Sequence, residues 1–485
     1  MARLPPLLRG DAAVFDDRWE KSAAGLIAVA RALRRHDAAV AGTREFLAVY
    51  DEVVGLPAPV FTRVWRDPFA YFWLHRAYEL VGAALSGERW PAAVDEHCRA
   101  LDAPTPALAL ARHLEQFKGL ALAMHFLAGA SQTFATPLTV TLPFVLPGTG
   151  LYLDGRESVA IVGTSSGCLD VTGSGGEIPP SRRLAVDASV SQGEEDGVRL
   201  VRSAVARYGR CALALQPYAL TGPGLDFAAA AVTAGLDYQE THRTLVERAL
   251  TLVARYDPAT FAVLAEVTQV VALKPAGAGG YTNVSHSDLP GAFILGVMHH
   301  PFELADAIVH EHYHNRLFCI EEAGSFFDPA QDALTDERYY SPWRDEPRPL
   351  RGVLHALFVY TPVCEFWLAV YGDRERQADV SDYAMDRIIR IPAQLDLAIN
   401  ALQAHARFTA LGDQLFAELR EARAAIAARV ERECLPADAP ALRCAVDGSI
   451  HRERSLADDR RLSVLQAVDE HCRRYTGGEA TGGIG

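Results

Sequence analysis

Apolar positions recur at three- and four-residue steps through Ala24–Leu33, Phe46–Val54, Phe69–Leu85 and Leu108–Leu127. That is the spacing of helices with one buried face, so residues 12–137 are predicted helical. The pattern changes near Thr136. From there to about Gly222 the chain is rich in Val, Thr, Gly and Pro, Leu138–Leu146 alternates, and strand-like runs return at Val198–Val205 and Cys211–Gln216. The Asp-Gly pair in Tyr152–Arg156 predicts a hairpin turn between two strands, and Ser165–Pro180 predicts a Gly/Ser-rich surface connector. The helical period resumes over Asp226–Tyr256, and apolar runs at Val267–Leu273 and Ala292–Val297 flank a Gly-rich stretch, Ala276–Gly280. Helices then dominate, at 302–322, 350–371, 381–408, 412–433 and 456–474, before a tail, Gly477–Gly485, that is expected to fray.

The pattern predicts an α+β fold, predominantly α-helical, with a β-rich section in the middle of the chain. Four segments follow: a helical N-terminal region over 1–137, a β-rich section over 138–222, a helical core over 223–434, and a C-terminal helix and tail over 435–485. The β-rich section is a candidate groove for an extended peptide, bound by strand addition.

Composition narrows the function classes. Of 485 residues, 49% are hydrophobic and 22% charged, enough apolar material for a large core, which excludes a disordered chain. Lys plus Arg number 47 against 61 Asp plus Glu, and the net charge of −14 argues against nucleic acid or an anionic membrane as partner. The eight cysteines include no Cys-x-x-Cys pair and point to reduced, buried thiols. Met1–Pro6 opens no apolar signal segment, and Gly119–Ala130 is too short to span a bilayer. Ala356–Tyr371 is longer but carries Pro362 and Glu365, so a soluble, cytoplasmic protein is expected.

The informative stretch runs from Phe302 to Leu317. It contains His310-Glu311-His312-Tyr313-His314, the His-Glu-x-x-His pattern, on a predicted helix opened by Pro301 with Glu303 and Asp306 in its first turns. Residues four apart lie ~40° apart around a helix, with β-carbons roughly 5–6 Å apart. Imidazoles at His310 and His314 can therefore bind one metal at about 2.0–2.1 Å each. Glu311, one step round, can touch a metal-bound water or orient a ligand. His312 points nearly opposite and is expected to be a hydrogen-bonded core or rim histidine. A metal-free cluster of hydrogen-bonded His and Glu is the competing explanation, since ionisable groups on a buried helix are costly unless paired.

A metal site needs a third ligand. The metzincin extension would require Gly at 317 and His at 320, where this chain has Leu317 and Ile320, so that class is excluded. Downstream, a Pro-rich, charged approach (Ser341–Pro349) enters an apolar helix carrying His355 and then Glu365. These two are ten residues apart, hence ~80° apart on a helix, and are not expected to ligate together. Arg351 shares the face of His355 and Arg348 lies just upstream. Either can clamp a carboxylate near a metal, or pair with Asp345 and Glu346 at the surface. His299 and His300 are expected to cap the motif helix, and His286 lies in a loop expected to be solvated. Ala276–Gly280 lacks the Lys-Ser/Thr of a phosphate loop.

The motif helix, the Trp343-x-x-x-x-Arg348-Pro349 approach and the helix opening Gly352-x-Leu354-His355 together resemble the α-ketoglutarate-dependent His-Glu-x-x-His peptide β-hydroxylases. These enzymes modify ribosomally made precursor peptides. The resemblance is specific over roughly 281–371, general over the helical N-terminal half, and absent as motif from the β-rich section. It implies an iron(II) site, α-ketoglutarate as cosubstrate, and oxidation of a peptide residue, of Asp or His type, at its β-carbon. It further implies His310, His314 and His355 as ligands and Arg348 as the arginine for the cosubstrate carboxylate, with Arg351 as the other candidate. Three histidines depart from the usual facial triad, which has one carboxylate. Two alternatives stay open: a zinc(II) metallopeptidase with Glu311 as general base and Glu365 as third ligand, and a non-catalytic helical peptide-binding protein.

Overall fold

The computed structural model describes residues 6–9, 13–36, 40–86, 92–142, 144–155, 158–173, 182–186, 198–215, 236–274, 283–296, 300–332, 337–344, 346–373 and 380–434. The fold is α+β and predominantly helical, with the strands gathered mid-chain. Two compact units divide it: Ala12–Thr251 with Val263–Ala307, and Met1–Asp11 with Leu252–Ala262 and Ile308–Gly485.

In the first of these units, helices Thr43–Val53, Pro68–Ser86 and Pro106–Ala128 meet through aromatic rings. Phe46 lies 5.9 Å from Trp73 and 5.0 Å from Phe117, and Trp73 lies 4.9 Å from Phe117, centroid to centroid. Trp73 and His113 stack at 5.5 Å with planes 7° apart. They also clamp two helices reciprocally: Trp73 Nε1 donates to the His113 carbonyl at 3.0 Å, and His113 Nε2 donates to the Trp73 carbonyl at 2.8 Å. Asp67 caps the helix that Pro68 opens, accepting from Phe69 N at 2.9 Å, and its other oxygen accepts from Gly148 N at 2.7 Å.

The strands form three sheets. β1 (Gln132–Thr141), β4 (Ser158–Ser165), β5 (Cys168–Gly173) and β6 (Arg182–Leu184) are antiparallel in the order β1-β4-β5-β6. β2 (Phe144–Leu146), β3 (Leu151–Asp154) and β7 (Arg199–Arg202) form a second antiparallel sheet. The third, ordered β11-β12-β10-β9-β8, joins Ala204–Tyr208 (β8) and Cys211–Leu215 (β9) to strands from beyond residue 223: Val270–Lys274 (β10), Val284–Ser285 (β11) and Ala292–Gly296 (β12). β10 pairs parallel with both β12 and β9. β12 is buried throughout, as its unbroken apolar run requires. The first strand begins at Gln132, ahead of the expected onset at 138.

Two expectations are corrected. Asp154-Gly155 is not a hairpin turn, because β3 pairs with β2 and β7, whereas β4 belongs to another sheet. Tyr152 and Leu153 are fully buried in the middle strand, and Asp154 accepts from Arg199 at 3.0 Å on the neighbouring strand. The reversal lies earlier, at Pro147–Gly150, where Gly148 has φ 69° and an added β-carbon would stand 2.8 Å from Val64 Cα. Likewise Ser165–Pro180 is not simply a connector. Ser166 (φ 49°) and Gly167 (φ 73°) make a two-residue turn into β5, where Leu169 and Val171 point inward.

In the other unit, helices Leu350–Gly372, Ser381–His405 and Ala410–Arg429 follow the C-terminal part of Pro301–Ala323. Arg316 donates twice to the Leu7 carbonyl, at 2.9 and 2.7 Å, and Tyr313 meets Thr260 at 3.1 Å. Leu350–Gly372 is long and apolar enough to cross a membrane, but 78% of its most apolar window is buried by the protein itself. Helix Pro258–Val267, started by Asp257 accepting from Thr260 N at 3.1 Å, was not anticipated. The expected helix at 456–474, the Gly-rich stretch 276–280 and residues 226–235 lie outside the described residues.

The His113–Trp73 clamp makes a pH prediction. Burial holds the His113 ring neutral, with its pKa down at about 4. Unfolding returns it to its ordinary value near 6.5. The clamp is thus fully present above about pH 6.5 and is lost as pH falls towards 4, a contribution on the order of 3 kcal/mol. Urea unfolding of the wild type between pH 6.5 and 4 will show that fall, and His113→Gln, which keeps a donor, will flatten it. Equal pH slopes in the two proteins would contradict the clamp.

Candidate metal centre

The histidine motif lies where the sequence periodicity predicts, on helix Pro301–Ala323. Pro301 opens it, and His300 Nδ1 accepts from Phe302 N at 3.3 Å, so His300 caps the helix. His299 lies outside the described residues. From Ile308 to Ile320 every residue is buried except His310, His314 and Phe318. These lie four apart, and with Glu321, also partly open, they make one stripe along an otherwise enclosed helix. A surface helix buries its apolar stripe; here the openings between Ile308 and Glu321 lie along the histidine stripe.

Helix Leu350–Gly372 runs antiparallel beside it, since the ring pairs step in opposite directions along the two helices. His310 meets Tyr360 at 4.9 Å, His314 meets His355 at 6.1 Å, and Phe318 meets His355 at 5.7 Å, ring centroid to centroid. The two motif rings stand 4.8 Å apart, edge to face. The structure therefore brings His310, His314 and His355 into a row of adjoining imidazoles. Among the described residues, however, no three His, Cys, Asp or Glu side chains are gathered closely enough to hold a metal ion as they stand.

The donor chemistry fits a borderline divalent cation. Among the described residues, His314 Nδ1 is buried without a hydrogen-bond partner. Burial, and then the charges of His310, His355, Arg348 and Arg344, push the His314 pKa well below its ordinary value. A neutral ring with an unmatched buried nitrogen is costly in a metal-free interior and is the form that binds iron or zinc. Glu311, beside the stripe, is 2% exposed. His312 is 2% exposed, and burial followed by the Arg316 charge brings its pKa down to about 3, so it is a neutral core histidine as expected.

The flanking charges divide in two. Arg348 is held by a backbone bridge to Tyr339, N to O at 2.8 and 2.7 Å in the two directions, and its side chain packs on Gly352. A β-carbon on Gly352 would meet Arg348 Cδ at 3.3 Å and Cβ at 3.4 Å. Burial and the neighbouring Arg344 lower the Arg348 pKa, while Glu346 and Tyr360 raise it. Arg351 is different: its guanidinium grips Glu321 through two hydrogen bonds of 2.9 Å, and Asp345 lies outside the described residues. Glu321 also receives His355 Nε2 at 2.9 Å. Burial alone would raise the Glu321 pKa, but His355 and Arg351 bring it below the ordinary value.

Glu365 stands apart from the row. Arg429 binds its carboxylate, and burial raises its pKa against that charge. Ten residues of helix place it about 15 Å along the axis from His355. His286, in the other unit, accepts from Asp288 N at 3.1 Å and lies 3.8 Å from the Asp288 carboxylate.

Sequence reasoning missed four neighbours. Glu321 lies eleven residues after His310, about 20° from it around the helix, so the motif's own period could have found it. Tyr360 is five residues after His355, and Trp343 stacks on it at 4.8 Å with planes 3° apart. Arg344 follows Trp343 and acts electrostatically on both Arg348 and His314. The chain matches no protein-family model and no curated protein.

In metal-free protein, the His314 ring will stay neutral well below pH 6.5. Imidazole ¹⁵N shifts followed from pH 7.5 to 5.5 will show no titration of that residue; a midpoint near 6.5 would contradict its burial.

Proposed function

We propose that this protein is an iron(II)- and α-ketoglutarate-dependent oxygenase that hydroxylates the β-carbon of a residue, of Asp or His type, in a ribosomally made precursor peptide, working in the cytoplasm. The observation that carries the reading is the row of three imidazoles, His310, His314 and His355, with the unpaired buried Nδ1 of His314 at its centre. Three imidazole donors on one side of an ion would leave positions for a chelating 2-oxo acid and O₂. Bound there, iron(II) would supply the coupling of oxidative decarboxylation, giving succinate and CO₂, to insertion of one oxygen atom into the peptide C–H bond.

The chain's own residues do the rest. His310, His314 and His355 would hold the ion. Arg348, with its stem resting on Gly352 and its charge adjacent to His314, would bind the distal carboxylate of the cosubstrate. The second positive charge of Arg344 lies beside it and favours the same dianion. Tyr360 braces His310 from the side, and Trp343 stacks on Tyr360. Glu311 orients ligands or substrate as an outer neighbour of the ion. An extended peptide would add to an open edge among the mid-chain sheets.

The zinc peptidase alternative with Glu365 as third ligand draws little support, because Arg429 already engages that carboxylate. Metal identity and reaction separate the two. Protein reconstituted with iron under anaerobic conditions will consume O₂ in a manner dependent on α-ketoglutarate and release succinate, and His310→Ala will abolish both. Arg348→Ala will raise the KM for α-ketoglutarate on the order of 10–100-fold, the loss of a charge-assisted hydrogen-bond pair. Stoichiometric zinc with chelator-sensitive peptide cleavage, abolished in Glu311→Gln, would overturn the oxygenase reading. Absence of any stoichiometric metal, with His314→Ala leaving peptide affinity intact, would favour a non-catalytic binder.

A further inference from the structure

The two arginines that follow the motif do different jobs, and the contacts separate them. The charge of Arg348 acts on His314, and Arg348 is itself influenced by Arg344 and Glu346. Arg351, 61% exposed at its side chain, is committed to Glu321 by a fork-to-carboxylate pair. Glu321 is 12% exposed and sits on the histidine stripe, where a buried carboxylate is costly unless it is engaged. Its partner on the inner side is His355 Nε2 at 2.9 Å. Among the described residues His355 Nδ1 makes no hydrogen bond, and the ring adjoins His314.

We propose that Glu321 is the positioning residue for the third ligand: held by Arg351, it takes the proton-bearing Nε2 of His355 and leaves Nδ1 as the nitrogen offered to the ion. The inference rests on the metal-centre reading above and extends it. A carboxylate accepting from the far nitrogen of a ligating histidine sets the tautomer and ring orientation and makes the other nitrogen more basic. Arg351 thereby leaves the cosubstrate to Arg348 and Arg344. Through Glu321, the single negative charge offsets part of the positive charge that an ion and two arginines would otherwise concentrate there.

Cobalt(II) titration of the full chain, read by visible ligand-field absorption, tests this without turnover. Wild type binds one equivalent, and His310→Ala loses it. Glu321→Gln, which keeps the shape but not the charge, weakens cobalt affinity by about 10-fold, and Glu321→Ala by up to about 100-fold. Both shift the absorption bands, and Glu321→Asp recovers part of the affinity. Metal-free circular dichroism spectra of the Gln and Asp variants match wild type. Wild-type affinity and bands in Glu321→Gln and Glu321→Ala, with His310→Ala still defective, overturn the role of Glu321 alone. Failure of wild type to bind cobalt, or unchanged binding in His310→Ala, overturns the metal centre and this role with it.

Discussion

The arrangement depends on one constraint: polar imidazoles placed on a helix that the protein otherwise encloses. Helix Pro301–Ala323 is buried on nearly every side, and the partial openings between Ile308 and Glu321 are His310, His314, Phe318 and Glu321. Such a helix does not gain stability from that stripe. The buried Nδ1 of His314, without a hydrogen-bond partner among the described residues, is a cost to the fold, because an orphaned donor or acceptor forfeits hydration without a replacement. A cation among the imidazoles would convert that cost into binding.

The neighbourhood is consistent with that purpose. Around the row, Glu321 and Arg351 close on each other and on His355, whereas the charges of Arg344 and Arg348 act on His314. On the proposed reading the first pair would steady a ligand, while the second places positive charge near His314. Glu365, the other carboxylate the sequence offered, is neutralised elsewhere by Arg429. Aromatic rings complete the wall, with Trp343 stacked on Tyr360 and Tyr360 against His310.

Much of this was legible in the residues. The 3.6-residue period located the motif helix and Leu350–Gly372 to within a residue or two, since both carry long apolar runs opened by proline, Pro301 at the first position of one and Pro349 at the N-cap of the other. It also put His310 and His314 on one face and Arg351 with His355 on another. The strands were harder. Asp154-Gly155 carries a turn signal, yet Tyr152 and Leu153 are in a middle strand, because pairing across three strands outweighs a dipeptide preference. Ser166-Gly167 was a better turn signal but lay inside a Gly/Ser-rich stretch that masked it. The Glu321 contact was invisible for another reason: which carboxylate meets His355 is decided by two helices packing antiparallel, and spacing along either one does not contain it.

The central claim is that three imidazoles, those of His310, His314 and His355, converge on one divalent cation. X-ray absorption at the iron edge of protein loaded anaerobically with one equivalent of iron(II) measures it directly, with His355→Ala as the paired sample. The account predicts a first shell containing three imidazole nitrogens, recognised by their outer-ring scattering, falling to two in His355→Ala. A shell with the same imidazole count in both proteins would contradict it.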